Sequence, residues 1–287
     1  MIAVIGATGR VGSEVVRQLL FGGHGVRALV RDPEKARRTF GEAAGLEVRG
    51  TRLDDREDLS DALRNVRSVF TAMGSVGLEG VVQHVVIDAA ARASSLEQLT
   101  RLSVLNASGK SFGINQRAHA GIDRFAASIG VPCSTVRPAI FSASLLAAAR
   151  EVRASRTWTG LAGTGRMALI DHRDVAEAAT RVITDPALWG AHHDVTGPVA
   201  MSWAEALTVL GSELDEPIAF RAVGASQLLD RLTRDGVPAD EAELLIAREW
   251  AIIAGENDYT TPTFEQIVGR PPRGLAEFLH HHRADFL

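Results

Sequence analysis

Three glycines stand at positions 6, 9 and 12 of the segment GATGRVG, directly after an apolar run over residues 2–5 and at the head of a helical pattern over 11–20. Between a strand and a helix, this spacing suits one kind of chemistry. Gly6 permits a tight turn, Gly9 lets the backbone approach a diphosphate with no Cβ in the way, and Gly12 lets helix and strand pack closely. The helix N-terminus then offers unpaired N–H groups and a partial positive charge to the phosphates. A merely tight turn needs one glycine and not three, so the segment predicts a dinucleotide site.

The end of the second strand decides which dinucleotide. In NAD sites an acidic residue there takes the ribose hydroxyls. Here the strand over 26–30 ends in Arg31, and a guanidinium can grip a 2′-phosphate by a forked, charge-assisted contact. Lys35 and Arg10 add charge nearby. The alternative is Asp32 on the ribose with Arg31 solvated, but Asp32-Pro33-Glu34 reads as a helix start with Asp32 as its N-cap. The expected cofactor is NADP(H).

These residues need a scaffold, and the pattern supplies an α/β one. Strands are expected over 2–5, 26–30, 46–49, 68–72, 98–102 and 133–137, alternating with helices over 11–20, 34–40, 58–63, 81–93 and 115–128. This rhythm means a doubly wound parallel sheet covered by helices on both faces, with ligands beyond the carboxyl ends of its strands. A helix over 173–183 and a short strand over 194–197 complete the sheet. From residue 201 the pattern is mostly helical, over 203–213, 226–234, 239–254, 264–268 and 275–282. The division is a dinucleotide-binding domain over 1–200 and a smaller helical, substrate-covering subdomain over 201–287.

Composition narrows the function classes. The 287 residues are 46% hydrophobic with a net charge of −4, which argues against a nucleic-acid or acidic-membrane partner. The single cysteine, Cys133, excludes an intrachain disulfide and any multi-cysteine metal site. Neither a membrane-length apolar run nor a signal-peptide pattern is present, so a cytoplasmic protein, monomeric or homodimeric, is the expectation. Consecutive histidines on a helix, as in His280-His281-His282, point about 100° apart and cannot converge on one ion. His192-His193 has the same weakness, and no metal site is expected.

Five segments together, GATGRVG, VRDPEKA, RLSVLNAS, STVRPAIF and VGRPPRGLAEFL, resemble the NmrA-like atypical short-chain dehydrogenase/reductases, and among them the NAD(P)H-dependent quinone reductase-like members. The resemblance spans nearly the whole chain. It implies a Rossmann domain, bound NADP(H), and a substrate cleft under a C-terminal subdomain. It also implies a cofactor-contact set. Thr8 and Val11 join Gly6, Gly9, Arg10 and Gly12; Ala72, Met73 and Gly74 wall the ribose; Pro138 and Ile140 pass the nicotinamide ring, with Phe141 towards the substrate. Conventional members of the wider superfamily use a tyrosine and a lysine four residues apart on the helix after the fifth strand. In this chain Asn115 and His119 stand at those positions, and the only tyrosine is Tyr259. Ser103 matches the superfamily serine that orients a carbonyl. Arg52 replaces the aspartate that reads the adenine amine in relatives, and either stacks on adenine or is solvated. His119 is expected to touch the ribose or to relay a proton near neutral pH.

Three function classes follow. The first is an NADP(H)-dependent reductase of a small conjugated or aromatic carbonyl or quinone, with Ser103, His119 and Asn115 at the reacting end. The others are a non-catalytic NADP(H) sensor, and a non-redox isomerase or cyclase in the same pocket.

Overall fold

The computed structural model describes residues 1–74 and 76–287. Short apolar runs form strands and amphipathic stretches form helices, alternating through the first half of the chain. In order these are β1 (Ile2–Ile5), α1 (Arg10–Phe21), β2 (Val26–Val30), α2 (Pro33–Phe40), β3 (Leu46–Gly50), α3 (Arg56–Ala62), β4 (Ser68–Thr71), α4 (Gly77–Ala91), β5 (Gln98–Leu102), α5 (Ile114–Ala127) and β6 (Cys133–Pro138). Then come α6 (Ala149–Ser155), β7 (Thr157–Gly160), β8 (Arg166–Met167), α7 (His172–Thr184), β9 (His192–Val195), β10 (Met201–Ser202) and α8 (Trp203–Leu214). The chain closes with β11 (Ala219–Ala222), α9 (Ala225–Arg234), α10 (Ala239–Ile253), α11 (Thr263–Val268) and α12 (Leu275–His281).

Seven strands form one parallel sheet in the order β3-β2-β1-β4-β5-β6-β9. Its strands are largely apolar because both faces are covered. On one face α1 and α7 pack over Val4, Val26, Phe70 and Val136. On the other, α3, α4 and α5 bury Ile5, Leu29, Val69 and Leu99. Strand order reverses between β1 and β4, which makes the carboxyl ends of these two strands the place where an open α/β sheet takes its ligand. No helix among the described residues is long and apolar enough to cross a membrane.

A third cluster forms the core of the lobe, with Trp203 edge-on to Trp158 at 4.7 Å between ring centroids. It joins Leu145, Trp158 and Met167 to Trp203, Leu207, Ile252 and Phe278, whereas Phe264 on α11 returns to the sheet's own core. The two cores therefore interleave along the chain across residue 200. The lobe also holds two small ladders, β7 with β11 and β8 with β10, which the sequence pattern does not announce. The last strand of the main sheet begins earlier than expected, at His192, and ends at Val195. Thr196 and Gly197 have left the ladder, Thr196 to accept a hydrogen bond from Thr261 N at 2.9 Å and Gly197 to press against Leu169 O, where a Cβ would sit 1.8 Å away.

The GRPPR segment is tied to the start of α7. Asp174 is fully buried; its carboxylate accepts from Arg270 at 2.7 Å, from the Arg273 backbone N–H at 2.6 Å, and from the Arg273 guanidinium. Without that charge Arg270 and Arg273 keep only the more exposed Glu177 and Glu277 as partners, and breaking a buried pair typically costs about 3 kcal/mol or more. Asp174→Asn is expected to lower the melting temperature by roughly 6–10 °C, measured by thermal unfolding; an unchanged melting temperature would show that the tie does not hold α11 and α12 in place.

Candidate functional site

The reversal point holds a cavity of about 660 Å³. Its floor is the β1–α1 turn. Gly6 has φ +81°, and a Cβ on it would lie 2.1 Å from Ala72 O. A Cβ on Gly12 would lie 2.1 Å from Gly6 O, so the helix can sit this close to the strand end only with glycine at both positions. Gly9 is the N-cap of α1, with extended backbone at φ −82° and ψ 171°; no side chain caps the helix, and its first turn carries no acidic residue. Its N–H groups and partial positive charge are left for an anion.

Nine of the expected contact residues line this one cavity: Gly6, Thr8, Gly9, Arg31, Lys35, Arg52, Ala72, Met73 and Gly74. Arg31 and Lys35 are exposed, and among the described residues their side chains have no ion-pair partner. Asp32 is otherwise engaged: its carboxylate accepts from Lys35 N at 3.0 Å and caps α2. The rim therefore presents two unpaired cations where a dinucleotide's ribose phosphate would arrive. Arg52 faces the same cavity but is largely exposed and paired with Asp55. The residues present fit a dinucleotide phosphate.

Other expected residues lie elsewhere. Val11 and Gly12 are buried behind the loop, and Arg10 lines a second cavity of about 800 Å³ that reaches into the lobe along Leu146, Arg150, Trp158 and Leu245. Gly9 lines the first cavity and its neighbour Arg10 lines the second. Pro138 ends β6, buried, and Ile140 O accepts from Ile170 N at 2.9 Å. Phe141 bridges to Ile170 and packs against both the sheet core and the lobe core, so it joins two cores and lines neither cavity. Asn115 is exposed in the first turn of α5, while His119, one turn later, is buried.

Two observations bear on the reacting end. Ser103 is buried just beyond β5, and its hydroxyl donates to Asp123 Oδ2 at 2.9 Å. Its proton is committed to a carboxylate that also binds Arg137 at 3.0 Å and the Arg101 guanidinium. Ser103 therefore offers lone pairs, not the donor that orienting a carbonyl requires. His119 does not titrate near neutrality. Burial, and then the charge of Arg101, push its imidazole down to about 4, with Arg137 adding to the shift and Asp123 opposing it. Tyr259 donates to Asn106 Oδ1 at 3.1 Å; it lies in neither cavity, and desolvation raises its pKa.

The NmrA-like family matches residues 1–275. An NAD(P)H azoreductase of Xenophilus azovorans is 30% identical over 100% of this chain and 99% of its own. Quinone oxidoreductase 2 of Escherichia coli is 25% identical over 98% of each chain. A crystal structure of the NADPH-dependent quinone oxidoreductase of that organism, complexed with NADPH, superposes with a TM-score of 0.91 at 26% identity, covering 99% of this chain and 100% of the other.

Two predictions follow from the site. In calorimetric titrations, Arg31→Ala should lose most of the preference for NADPH over NADH; a charged contact of roughly 1.5–3 kcal/mol corresponds to about one to two powers of ten. In the same experiment Gly9→Ala, whose Cβ meets only Gly6 O at 3.2 Å, should fold but bind NADPH weakly. Equal NADPH and NADH curves for the wild type would contradict this reading.

The second concerns pH. His119 has a folded-state pKa of about 4 against an ordinary 6.5, so below pH 6.5 the unfolded chain binds the proton that the native state refuses. Stability from this group is complete above pH 6.5 and is lost as pH falls towards 4, by roughly 3 kcal/mol in all. His119→Gln should remove that part of the slope in urea unfolding between pH 7 and pH 4.5; an identical slope would refute the assignment.

Proposed function

This chain belongs to the NmrA-like family and is an NADP(H)-dependent oxidoreductase, and on that premise we propose that it reduces a small conjugated acceptor of the quinone or aromatic-carbonyl class. The α1 N-terminus takes the diphosphate, Arg31 and Lys35 take the 2′-phosphate, and Met73 and Gly74 wall the ribose. The lobe cavity, which starts at Arg10 and is walled by Leu146, Trp158 and Leu245, receives the flat acceptor.

One observation carries the choice of acceptor: the Ser103 hydroxyl is spent on Asp123, at 2.9 Å. A saturated ketone that takes a hydride becomes an alkoxide, a strong base that needs a positioned acid as it forms. Ser103 cannot be that acid, and His119, neutral at pH 7, has no acidic proton to give. A quinone instead becomes a hydroquinone monoanion, whose charge is delocalised and whose protonation can wait for water. Bound NADPH supplies the hydride, one proton with two electrons. The protein's part is to orient the acceptor, exclude water from the hydride path and hold the buried charges of Arg101 and Asp123, with the half-buried Arg137, in place.

The test is NADPH consumption followed at 340 nm with a panel of quinones and saturated cyclic ketones of similar size. Quinones should be reduced with a kcat/KM at least about 10²-fold higher, the usual scale of a missing acid. Comparable rates on saturated ketones would overturn the proposal. An absence of turnover on every acceptor, with different affinities for NADP and NADPH, would favour a sensor.

A further inference from the structure

One buried amide connects the charge cluster to the wall of the dinucleotide cavity. Gln83, on α4, is 2% exposed. Its Nε2 donates to Gly74 O at 2.5 Å and lies 3.4 Å from Met73 O. Its Oε1 accepts from Arg101 Nη2 at 2.7 Å. Arg101, on β5, is 0% exposed, and its other terminal nitrogen is on Asp123 of α5.

A guanidinium carries only donors, so the amide oxygen must face Arg101 and the amide nitrogen must face the two carbonyls. Turning the amide over would set donor against donor on one side and oxygen against oxygen on the other. The orientation is therefore fixed by the sequence of groups Asp123, Arg101, Gln83, Gly74. Met73 and Gly74 lie beyond the end of β4, and the sheet ladder does not hold them.

We propose that Gln83 is a positioning residue that sets the Met73 and Gly74 carbonyls, and with them the ribose wall of the cavity, while Arg101 and Asp123 determine which way its amide faces. The proposal rests on the reading that this cavity takes the dinucleotide. It assigns Gln83 no contact with the cofactor and no part in hydride transfer.

Gln83→Glu separates positioning from structural support. A glutamate keeps the length of the side chain and an oxygen for Arg101, but it loses the donor and turns a carboxylate oxygen towards two carbonyls. The dissociation constant for NADPH, read by calorimetry, should rise about tenfold, with kcat at saturating NADPH within about twofold of wild type. Should Gln83→Glu not fold, Gln83→Met is measured in the same way, and its NADPH affinity should fall likewise. Wild-type NADPH affinity in a folded variant overturns the proposal, as does a lower melting temperature with unchanged affinity. A wild-type protein that does not bind NADPH contradicts the cofactor reading itself, a result distinct from equal binding by wild type and variant.

Discussion

The structure depends on how closely the first helix approaches the end of the first strand. A Cβ on Gly12 would stand 2.1 Å from Gly6 O, and one on Gly6 would stand 2.1 Å from Ala72 O, so two glycines let three backbone segments meet with nothing between them. This contact aims the open N-terminus of α1 into the gap between β1 and β4. It also brings Ala72, with Met73 and Gly74 behind it, to the opposite side of that gap. The partial charge of a helix end falls off within a turn, so a wider spacing would leave the same residues without a common focus.

Around this gap the chain separates exposed charge from buried charge. Among the described residues Arg31 and Lys35 have no ion-pair partner, and they stand at the rim, where a solvated phosphate can reach them. Arg101, Asp123 and Arg137 lie beneath, with two guanidiniums on one carboxylate. Burying charges is costly unless each is matched, and here Ser103 and Gln83 add hydrogen bonds to the cluster, while the Arg101 and Arg137 Nε atoms have no partner among the described residues. The match has a chemical consequence. The Ser103 hydroxyl is committed to Asp123, and the His119 imidazole is held neutral at pH 7 by burial and the charge of Arg101.

Much of the fold was legible in the residues. The runs that become β1, β2 and β5 have the expected bounds; for β1 the reason is plain, since a buried parallel strand is an apolar run between turn signals, and Asp32 caps α2 as its place before Pro33 implies. The glycine loop could be read because its requirement is steric and local. The lobe ladders could not: β7 and β11 are four residues each and depend on partners about sixty positions apart, with Trp158 and Phe220 meeting edge to face. The reacting end was not legible for a related reason. Whether Ser103 donates or accepts, and whether His119 titrates, depends on Asp123 and on arginines from two strands. Gln83 carried no signal at all, being one of four polar residues on α4, with Glu79, His84 and Asp88; only its position between Arg101 and Gly74 gives it meaning.

The account's central claim is that the α1 N-terminus and the Arg31 rim hold the two phosphate ends of one dinucleotide. A crystal structure of the protein with NADP tests this most directly. The diphosphate oxygens should accept from backbone N–H groups at the start of α1, and the 2′-phosphate should lie against the Arg31 guanidinium. A diphosphate bound away from the glycine loop, or a 2′-phosphate turned from Arg31 into solvent, would contradict the account.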